Sequence, residues 1–315
     1  MKKILLYMLG SMLFVFLLNA CKKGFNDQQS LPPTPEQPDL VTKVAMNING
    51  LVTNEAGAAI SNALVVAGTK SVRTDNYGYF KITGAMLSKT APFISVSKEG
   101  FFDGYRTFVY KGTPENFARV KLVPKTNAGS MNAVSGGSIT TGDGATVSLP
   151  PNGVVVAATN MPYTGTVHVA AYLFKQDNAN EFSITIPGDN RGISSEGYLN
   201  TLKSFGMMAV ELTGDAGELL QIAPGKLATI TTPIPSSLAA DAPASIPLWS
   251  FDVTRGLWKQ EASATKNGNY YTGNVSHFSF WDGAIGIPLV NLTVQIVNNA
   301  LQPLGNVVVY VSRAD

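Results

Sequence analysis

The feature of this sequence that most restricts its fold is a regular alternation of short β-type segments with turn residues along most of the chain. In the first part these segments lie at 46–53, 60–68, 79–83, 92–97, 105–110 and 118–123. In the last of them Ala118, Val120 and Leu122 fall on one face while Arg119 and Lys121 fall on the other, as in a half-buried strand. The chain contains 30 glycines and 18 prolines, which supply the turns. We therefore predict an all-β protein of tandem antiparallel β-sandwiches.

The segment 74–80, TDNYGYF, carries a clear turn signal. Asp75 stands where its side chain can cap a turn, and Gly78 stands where the backbone can adopt a positive φ. We therefore predict the tip of a β-hairpin here. A calcium site is the alternative for Asp75, but calcium needs several oxygen ligands, and the sequence places no cluster of acids around this residue.

The first β-rich part resembles a known domain family. The matching elements are GLV at 50–52, NEAG at 54–57, Ile60 with ALV at 63–65, and TDxxGxF at 74–80. This order resembles the carboxypeptidase regulatory-like domain over residues 46–123. The resemblance implies a transthyretin-like, Ig-like sandwich of about seven strands, which we place at 44–124, and an accessory role without catalytic residues.

Residues 125–285 show the same alternation and form a second predicted β-rich domain. Its apolar stripes are Val167, Val169, Ala171 and Leu173; Met208, Val210 and Leu212; and Trp249, Phe251 and Val253. The segments GATVSLPPNG at 144–153, SFGMMAVEL at 204–212, PLWSFD at 247–252 and VSHFSFW at 275–281 resemble the extracellular domain of the cartilage intermediate layer protein family. The resemblance implies an extracytoplasmic interaction or matrix-type module and supplies no biochemical activity.

Residues 1–20 have the parts of a secretory signal peptide, namely Lys2 and Lys3, an apolar run at 4–18, and a small residue, Ala20, before the cut. A membrane-spanning anchor helix is the alternative, but it needs about 20 apolar residues, and the run is shorter. The sequence LNAC that ends at Cys21 resembles the lipobox of bacterial lipoproteins. The resemblance implies that Cys21, the only cysteine, carries the lipid and becomes the first mature residue.

Residues 21–43 form a proline-rich linker that begins with this cysteine. Proline at this density favours a semi-rigid, extended spacer, which would hold the folded part away from the lipid surface. No aspartate follows Cys21, and in the lipoprotein sorting pattern this favours the outer membrane. The sequence leaves open whether the body faces the periplasm or the cell surface.

Charge and motif content argue against several functions. The formal net charge is only +2, so we expect no nucleic-acid partner. His168 and His277 are the only histidines and neither begins an H-E-x-x-H pattern, so we expect no metal site. Ser195 lacks the first glycine of a nucleophile elbow, and the glycines at 136–144 lack the Gly-Lys-Ser/Thr ending of a phosphate loop. We therefore predict a non-enzymatic chain without a cofactor or metal.

The two histidines also have structural interpretations. His168 falls on the face opposite the apolar stripe of its strand, so we expect it to be exposed or singly bonded. His277 stands among aromatic residues of the closing segment. There we expect a buried imidazole that donates a hydrogen bond to a backbone carbonyl.

Five large aromatic residues lie close together in the sequence: Trp249, Trp258, Tyr270, Tyr271 and Trp281. Such rings either fill a sandwich core or form a stacking platform for a sugar. Trp249 lies on an apolar stripe and Trp281 in the closing segment, so we assign both to the core. Trp258, Tyr270 and Tyr271 are the candidate ligand-contact residues.

The C-terminal part repeats a piece of the first domain. Residues 297–310 align without gaps with residues 53–66, and Asn298 and Asn306 match Asn54 and Asn62. The run 306–311 strongly favours a strand. We therefore predict that residues 286–315 begin a further, incomplete β-sandwich repeat of a longer gene product.

These features together predict a non-enzymatic lipoprotein of the cell envelope, anchored by lipid on Cys21. Its tandem sandwiches would bind or organise an extracytoplasmic protein or glycan. Two alternatives stay open: a carbohydrate-binding component of a surface glycan-uptake system, and the non-catalytic part of a longer enzyme.

Overall fold

The computed structural model of the chain describes residues 35–112, 115–176, 179–290 and 294–310. It divides into two compact units, one spanning Pro35–Leu289 and the other including the described residues from Val290 onward. The predicted signal peptide, Cys21 and most of the linker lie outside the described residues. Within the described ranges, no helix is both long and apolar enough to cross a membrane.

Seven strands form the first sandwich. They are β1 (Lys43–Thr53), β2 (Leu64–Ala67), β3 (Lys70–Arg73), β4 (Tyr79–Ser88), β5 (Phe93–Ser97), β6 (Gly104–Thr107) and β7 (Glu115–Lys121). One sheet has the order β4-β1-β7 and the other β3-β2-β5-β6. All neighbours are antiparallel except β1 and β7, which run parallel. Alternate residues, such as Met46 and Ile48 on β1, face the core, and the predicted all-β sandwich fold is confirmed.

The turn at 74–80 connects the two sheets of this sandwich. Asp75 Oδ1 accepts hydrogen bonds from the backbone nitrogens of Tyr77 at 2.8 Å and Tyr79 at 2.9 Å, so the predicted turn cap is confirmed. The predicted hairpin is wrong, because β3 pairs with β2 while β4 pairs with β1. A turn signal shows where the chain reverses, but not which sheet the next strand joins.

The second domain contains thirteen strands that are linked by pairing into one extended sheet. They are β8 (Asn127–Asn132), β9 (Gly137–Thr140), β10 (Thr146–Leu149), β11 (Val154–Val156), β12 (Thr166–Phe174), β13 (Arg191–Ile193), β14 (Leu199–Thr213), β15 (Leu219–Ile222), β16 (Ala228–Pro233), β17 (Ser245–Asp252), β18 (Leu257–Asn267), β19 (Tyr270–Val275) and β20 (Phe280–Pro288). One helix, α1 (Ala179–Thr185), and a 3₁₀ turn (Ser236–Leu238) interrupt them.

Strand β14 is the centre of this domain, and both of its faces are buried. It pairs with β12, β13, β15 and β20. Met208, Val210 and Leu212 face one apolar core, as the sequence pattern predicts. Met207 and Ala209, on the opposite face, pack into a second core. Because both faces of this strand contact a core, its residues are apolar without alternation, as the sequence at 205–210 shows.

The second core also includes residues of the first sandwich. Phe102 and Tyr105 pack there with Trp249, Phe251 and Phe280. The ring centroids of Tyr105 and Phe251 lie 5.0 Å apart, and those of Tyr105 and Phe280 lie 6.0 Å apart in an edge-to-face arrangement. The two sandwiches therefore share this second core, and each also has a core of its own.

The described residues of the C-terminal segment, 294–310, contain an isolated bridge between Val297 and Pro303 and no regular strand. Val308 and Tyr310, in the run expected to form a strand, are exposed. The preceding strand, β20, ends at Pro288, so the second sheet continues slightly past the boundary placed at residue 285.

Candidate functional site

The structure does not bring the three candidate ligand-contact residues, Trp258, Tyr270 and Tyr271, onto one exposed surface. Trp258 is fully buried and packs edge to face on Phe251, with ring centroids 5.4 Å apart. Tyr271 is 2% exposed and donates its hydroxyl hydrogen to the backbone oxygen of Pro243 at 2.7 Å. Tyr270 is 41% exposed, because adjacent residues of a strand point to opposite faces. Two of the three candidate rings are core residues, so the three cannot form one ligand-binding surface.

The core assignment of the other two tryptophans is confirmed. Trp249 and Trp281 are both buried. Each indole N–H donates to a backbone carbonyl, that of Ala284 at 2.9 Å and that of His277 at 3.0 Å. Their polar edges are therefore satisfied inside the fold.

His277 belongs to a partly exposed charged cluster of the second domain. Its Nε2 lies 2.8 Å from Glu261 Oε2, and its imidazole is partly exposed, so the expected bond from a buried ring to a backbone carbonyl is wrong. Glu261 also accepts hydrogen bonds from Ser250 Oγ at 2.7 Å and Lys259 Nζ at 2.5 Å. A register shift between β17 and β18, where Leu248 pairs with Ala262, leaves Glu261 as the extra residue of a bulge. A bulge re-aims a side chain, and here it turns the carboxylate toward its three partners.

Burial disfavours the charge on Glu261, but hydrogen bonds from Lys259, His277 and Ser250 outweigh this and lower its pKa to about 2. The buried hydroxyl of Ser250 donates to this carboxylate instead of lying against the imidazole. A serine nucleophile needs its hydroxyl bonded to a base that can take the proton. The cluster therefore has the geometry of a structural network.

His168 lies on the exposed face of β12, as predicted, but it has two side-chain neighbours. Ser130 Oγ is 2.9 Å from its Nδ1, and Asp215 Oδ1 is 3.0 Å from its Nε2. Two hydrogen bonds lower the pKa of Asp215: the larger effect comes from the backbone nitrogen of Thr166 and the next from the side chain of His168. Ser130, His168 and Asp215 thus form a chain of side-chain hydrogen bonds. Sequence reasoning missed this chain because the three residues come from separate elements. Ser130 and Asp215 are exposed on an open sheet surface.

A polar cleft of about 390 Å³ lies at one end of the first sandwich, where strand ends of one sheet meet. We call it the Arg73 cleft. It is lined by Asn62, Leu64, Arg73, Ser97, Lys98, Glu99, Phe101, Asp103 and Lys125. Its residues come from the start of β2, the end of β3, the end of β5 and the start of β6, which antiparallel pairing brings to one edge.

Hydrogen-bond donors dominate the Arg73 cleft. Arg73 Nη1 donates to the backbone oxygen of Asn62 at 3.1 Å, and Lys98 Nζ donates to that of Ser61 at 3.1 Å. An arginine has five N–H groups and a lysine three, so donors are left for a ligand. Phe101 adds a half-buried apolar surface beside them.

Acidic groups balance part of this positive charge. Lys125 Nζ lies 2.8 Å from Glu211 Oε1 at the rim of the cleft. Burial raises the pKa of Asp103, while Lys125 acts in the opposite direction. Glu99 also lines the cleft, so its acidic and basic groups nearly balance. The N–H groups of Arg73 and Lys98 suit a ligand with hydroxyl groups and an anionic substituent. No sequence motif predicts this cleft, because the residues that line it are separated in the chain by whole strands.

Ser195 lines a different cleft, of about 300 Å³, with Asp252, Arg255 and Lys259. Its backbone nitrogen donates to Gln260 Oε1 at 3.3 Å. None of the residues that line this cleft is a histidine, so the chemistry of a nucleophile elbow is not assembled around Ser195.

Comparisons with known proteins give limited similarity. No protein-family model matches the chain. A segment of 120 residues, 38% of the chain, is 28% identical to human cartilage intermediate layer protein 2. The match covers 10% of that protein, so the chain spans only a small part of this curated relative. The similarity is therefore weak, and it is to a member of the cartilage intermediate layer protein family.

Several solved structures show weak similarity to the chain, and three are described here. The first is a Bacteroides fragilis protein of unknown function, assumed to be membrane-associated, at 11% identity and a TM-score of 0.21, covering 78% of this chain and 99% of that one. The second is an assumed carbohydrate-binding protein of Bacteroides uniformis, with 10% sequence identity and a TM-score of 0.20; the match covers 78% of this chain and 99% of that one. The third is a streptococcal ancillary pilin, with 8% sequence identity and a TM-score of 0.19; the match covers 82% of this chain and 60% of that one. At such scores the function must be argued from the residues of this chain.

Proposed function

We propose that this chain is a non-enzymatic lipoprotein of the outer membrane whose β-sandwiches bind an extracytoplasmic partner. The leader and the lipobox-like sequence ending at Cys21 support the anchor, and the proline-rich linker supports a body held away from the membrane. The observation that carries the binding role is the Arg73 cleft, a concave site with convergent polar groups. The shared core of the two sandwiches makes its support rigid.

The anchor is tested by replacing Cys21 with serine. The Cys21→Ser protein should leave the membrane fraction and lose incorporation of labelled fatty acid, because the lipid supplies the membrane affinity. Ser30→Ala, a change in the same linker, should stay membrane-bound. If the Cys21→Ser protein remains in the membrane with its leader uncut, the leader is an anchor helix and the lipid model is wrong.

A second candidate function, carbohydrate binding, is favoured by the composition of the Arg73 cleft. Arg73 and Lys98 can bind a carboxylate or sulfate, and Phe101 offers an apolar face beside them. We therefore propose an acidic saccharide as the ligand class, in place of the sugar-stacking platform that the buried Trp258 and Tyr271 exclude.

Titration of the soluble protein with uronic-acid oligosaccharides and with neutral oligosaccharides of equal length tests this second candidate. Binding should be confined to the acidic series and should be lost in Arg73→Gln. Lys81→Gln, an exposed cation on β4, is the matched control and should bind as the wild type does. Equal binding of both series, or unchanged binding by Arg73→Gln, would exclude the cleft as an acidic-saccharide site.

The hydrogen-bonded residues Ser130, His168 and Asp215 allow a test of the non-enzymatic assignment. Purified protein should not hydrolyse activated esters above the background rate. Hydrolysis that disappears in Ser130→Ala but persists in Ser138→Ala, an exposed serine on β9, would overturn the assignment.

A further inference from the structure

The turn that follows β1 has a distinctive set of hydrogen bonds around Asn54. The Asn54 backbone nitrogen donates to the oxygen of Ala58 at 2.9 Å, and the Ala58 nitrogen donates to Asn54 Oδ1 at 2.9 Å. The nitrogen of Gly57 donates to the Asn54 oxygen at 3.0 Å. Thr53 and Ala59 form an antiparallel bridge across the turn.

The same set occurs around Asn298, with every partner displaced by the same number of residues. The Asn298 backbone nitrogen donates to the oxygen of Gln302 at 2.9 Å, and the Gln302 nitrogen donates to Asn298 Oδ1 at 2.9 Å. The nitrogen of Leu301 donates to the Asn298 oxygen at 2.9 Å. Val297 and Pro303 form the bridge.

The correspondence extends to the next backbone bond and to the backbone angles. Ile60 donates to the oxygen of Val52 at 3.0 Å, and Leu304 donates to that of Ile296 at 2.9 Å. Left-handed φ values occur in both turns at equivalent positions: Gly57 at 80° and Leu301 at 61°, and Asn62 at 55° and Asn306 at 58°. A leucine rarely adopts a positive φ, so its presence at the glycine position points to a turn imposed by the surrounding bonds.

We infer that residues 296–310 are the end of the first strand, the turn and the start of the second strand of another sandwich of the first kind. In the first sandwich Ala63 and Val65 are buried, and β2 is paired on both sides, with β3 and β5. Their counterparts, Val307 and Val309, are 46% and 47% exposed. The segment 306–310 is therefore a docking surface, and the partner it fits is a set of strands with the pattern of residues 67–123.

The equivalence of residues 296–310 and 52–66 is tested by replacing one segment with the other in the full chain. Residues 296–310 replace residues 52–66, a substitution of equal length, and the control inserts residues 295–309 at the same place. The in-register variant should keep cooperative unfolding with a lowered Tm. The control should lose the folded first sandwich, because a shift of one residue turns every side chain of a strand to the other face. If both variants lose it equally, the two segments are not equivalent.

The docking surface is tested by replacing residues 311–315 with residues 67–125 of the same protein, so that residue 67 follows Tyr310. Amide hydrogen exchange of Val307–Tyr310 should slow at least tenfold relative to the unextended chain. An extension with the same residues in scrambled order should leave exchange unchanged. Unchanged exchange with the ordered extension would overturn the proposal, as would equally slow exchange in the unextended chain at high protein concentration, which would identify a second copy as the partner.

Discussion

Ser204 on β14 donates a hydrogen bond from Oγ to Oδ1 of Asp282 on the neighbouring strand β20, across 2.5 Å. Asp282 is completely buried, and its Oδ2 has no hydrogen-bond partner among the described residues. Gln176 donates from Nε2 to the same Ser204 Oγ at 2.8 Å. Burial raises the pKa of Asp282 to about 7, although the bond from Ser204 acts against the rise. The buried Asp282 carboxyl therefore favours its neutral form below pH 7.

This carboxyl predicts a stability that falls as pH rises. Between its ordinary pKa of 3.8 and its folded value of about 7, the folded state binds more protons than the unfolded state, so stability is lost as pH rises through 7. The Tm of the wild type should fall from pH 5 to pH 8 relative to that of Asp282→Asn. The variant should be the more stable of the two at pH 8. Parallel Tm profiles for the two proteins over this range would contradict the assignment.

Glu261 predicts a stability that rises with pH, and this change falls between about pH 2 and pH 4.5. Its pKa is lowered to about 2 against an ordinary value of 4.5, so its contribution is complete above pH 4.5 and is lost as pH falls toward 2. Glu261→Ala should cost about 1–3 kcal/mol at pH 7, because it leaves the buried Ser250 hydroxyl without its acceptor. Urea unfolding at pH 7 and pH 3 measures both effects. A variant that loses as much stability as the wild type between these pH values would show that another group is responsible.

Trp281 predicts a large loss of stability on truncation. Trp281→Ala should cost about 3–5 kcal/mol, since the ring is buried in the main core of the second domain. Tyr270→Ala, which removes a partly exposed ring on β19, is the control and should change stability by about 0.5 kcal/mol or less. Chemical unfolding of both variants gives the comparison, and equal losses would mean that Trp281 is not a core residue.

The shared core predicts that the two sandwiches unfold together. Calorimetry should give one transition with equal calorimetric and van't Hoff enthalpies. Tyr105→Ala should lower the Tm of this single transition, and its effect should be non-additive with that of Phe251→Ala because the two rings are in contact. Two separate transitions in the wild type would show that the sandwiches are independent.

Local patterns in the sequence predicted much of the fold. Period-two alternation at Ala118 and Val120 predicted the half-buried strand, because each strand residue turns to one side of its own sheet regardless of the rest of the chain. The cap at Asp75 was predictable for the same reason, since its hydrogen bonds stay within a few residues. The burial of Trp249 followed from its place on an apolar stripe.

Other features depended on which strands meet in space, and the tertiary structure alone decided them. The sequence determined where strands and turns form and which face of each strand is apolar, because those properties depend on neighbouring residues and on backbone geometry. It did not determine that β3 and β4 join different sheets, that Trp258 and Tyr271 are buried, or that Glu261 binds His277. These outcomes depend on pairing between segments far apart in the chain, where the free energy comes from contacts that no local pattern records.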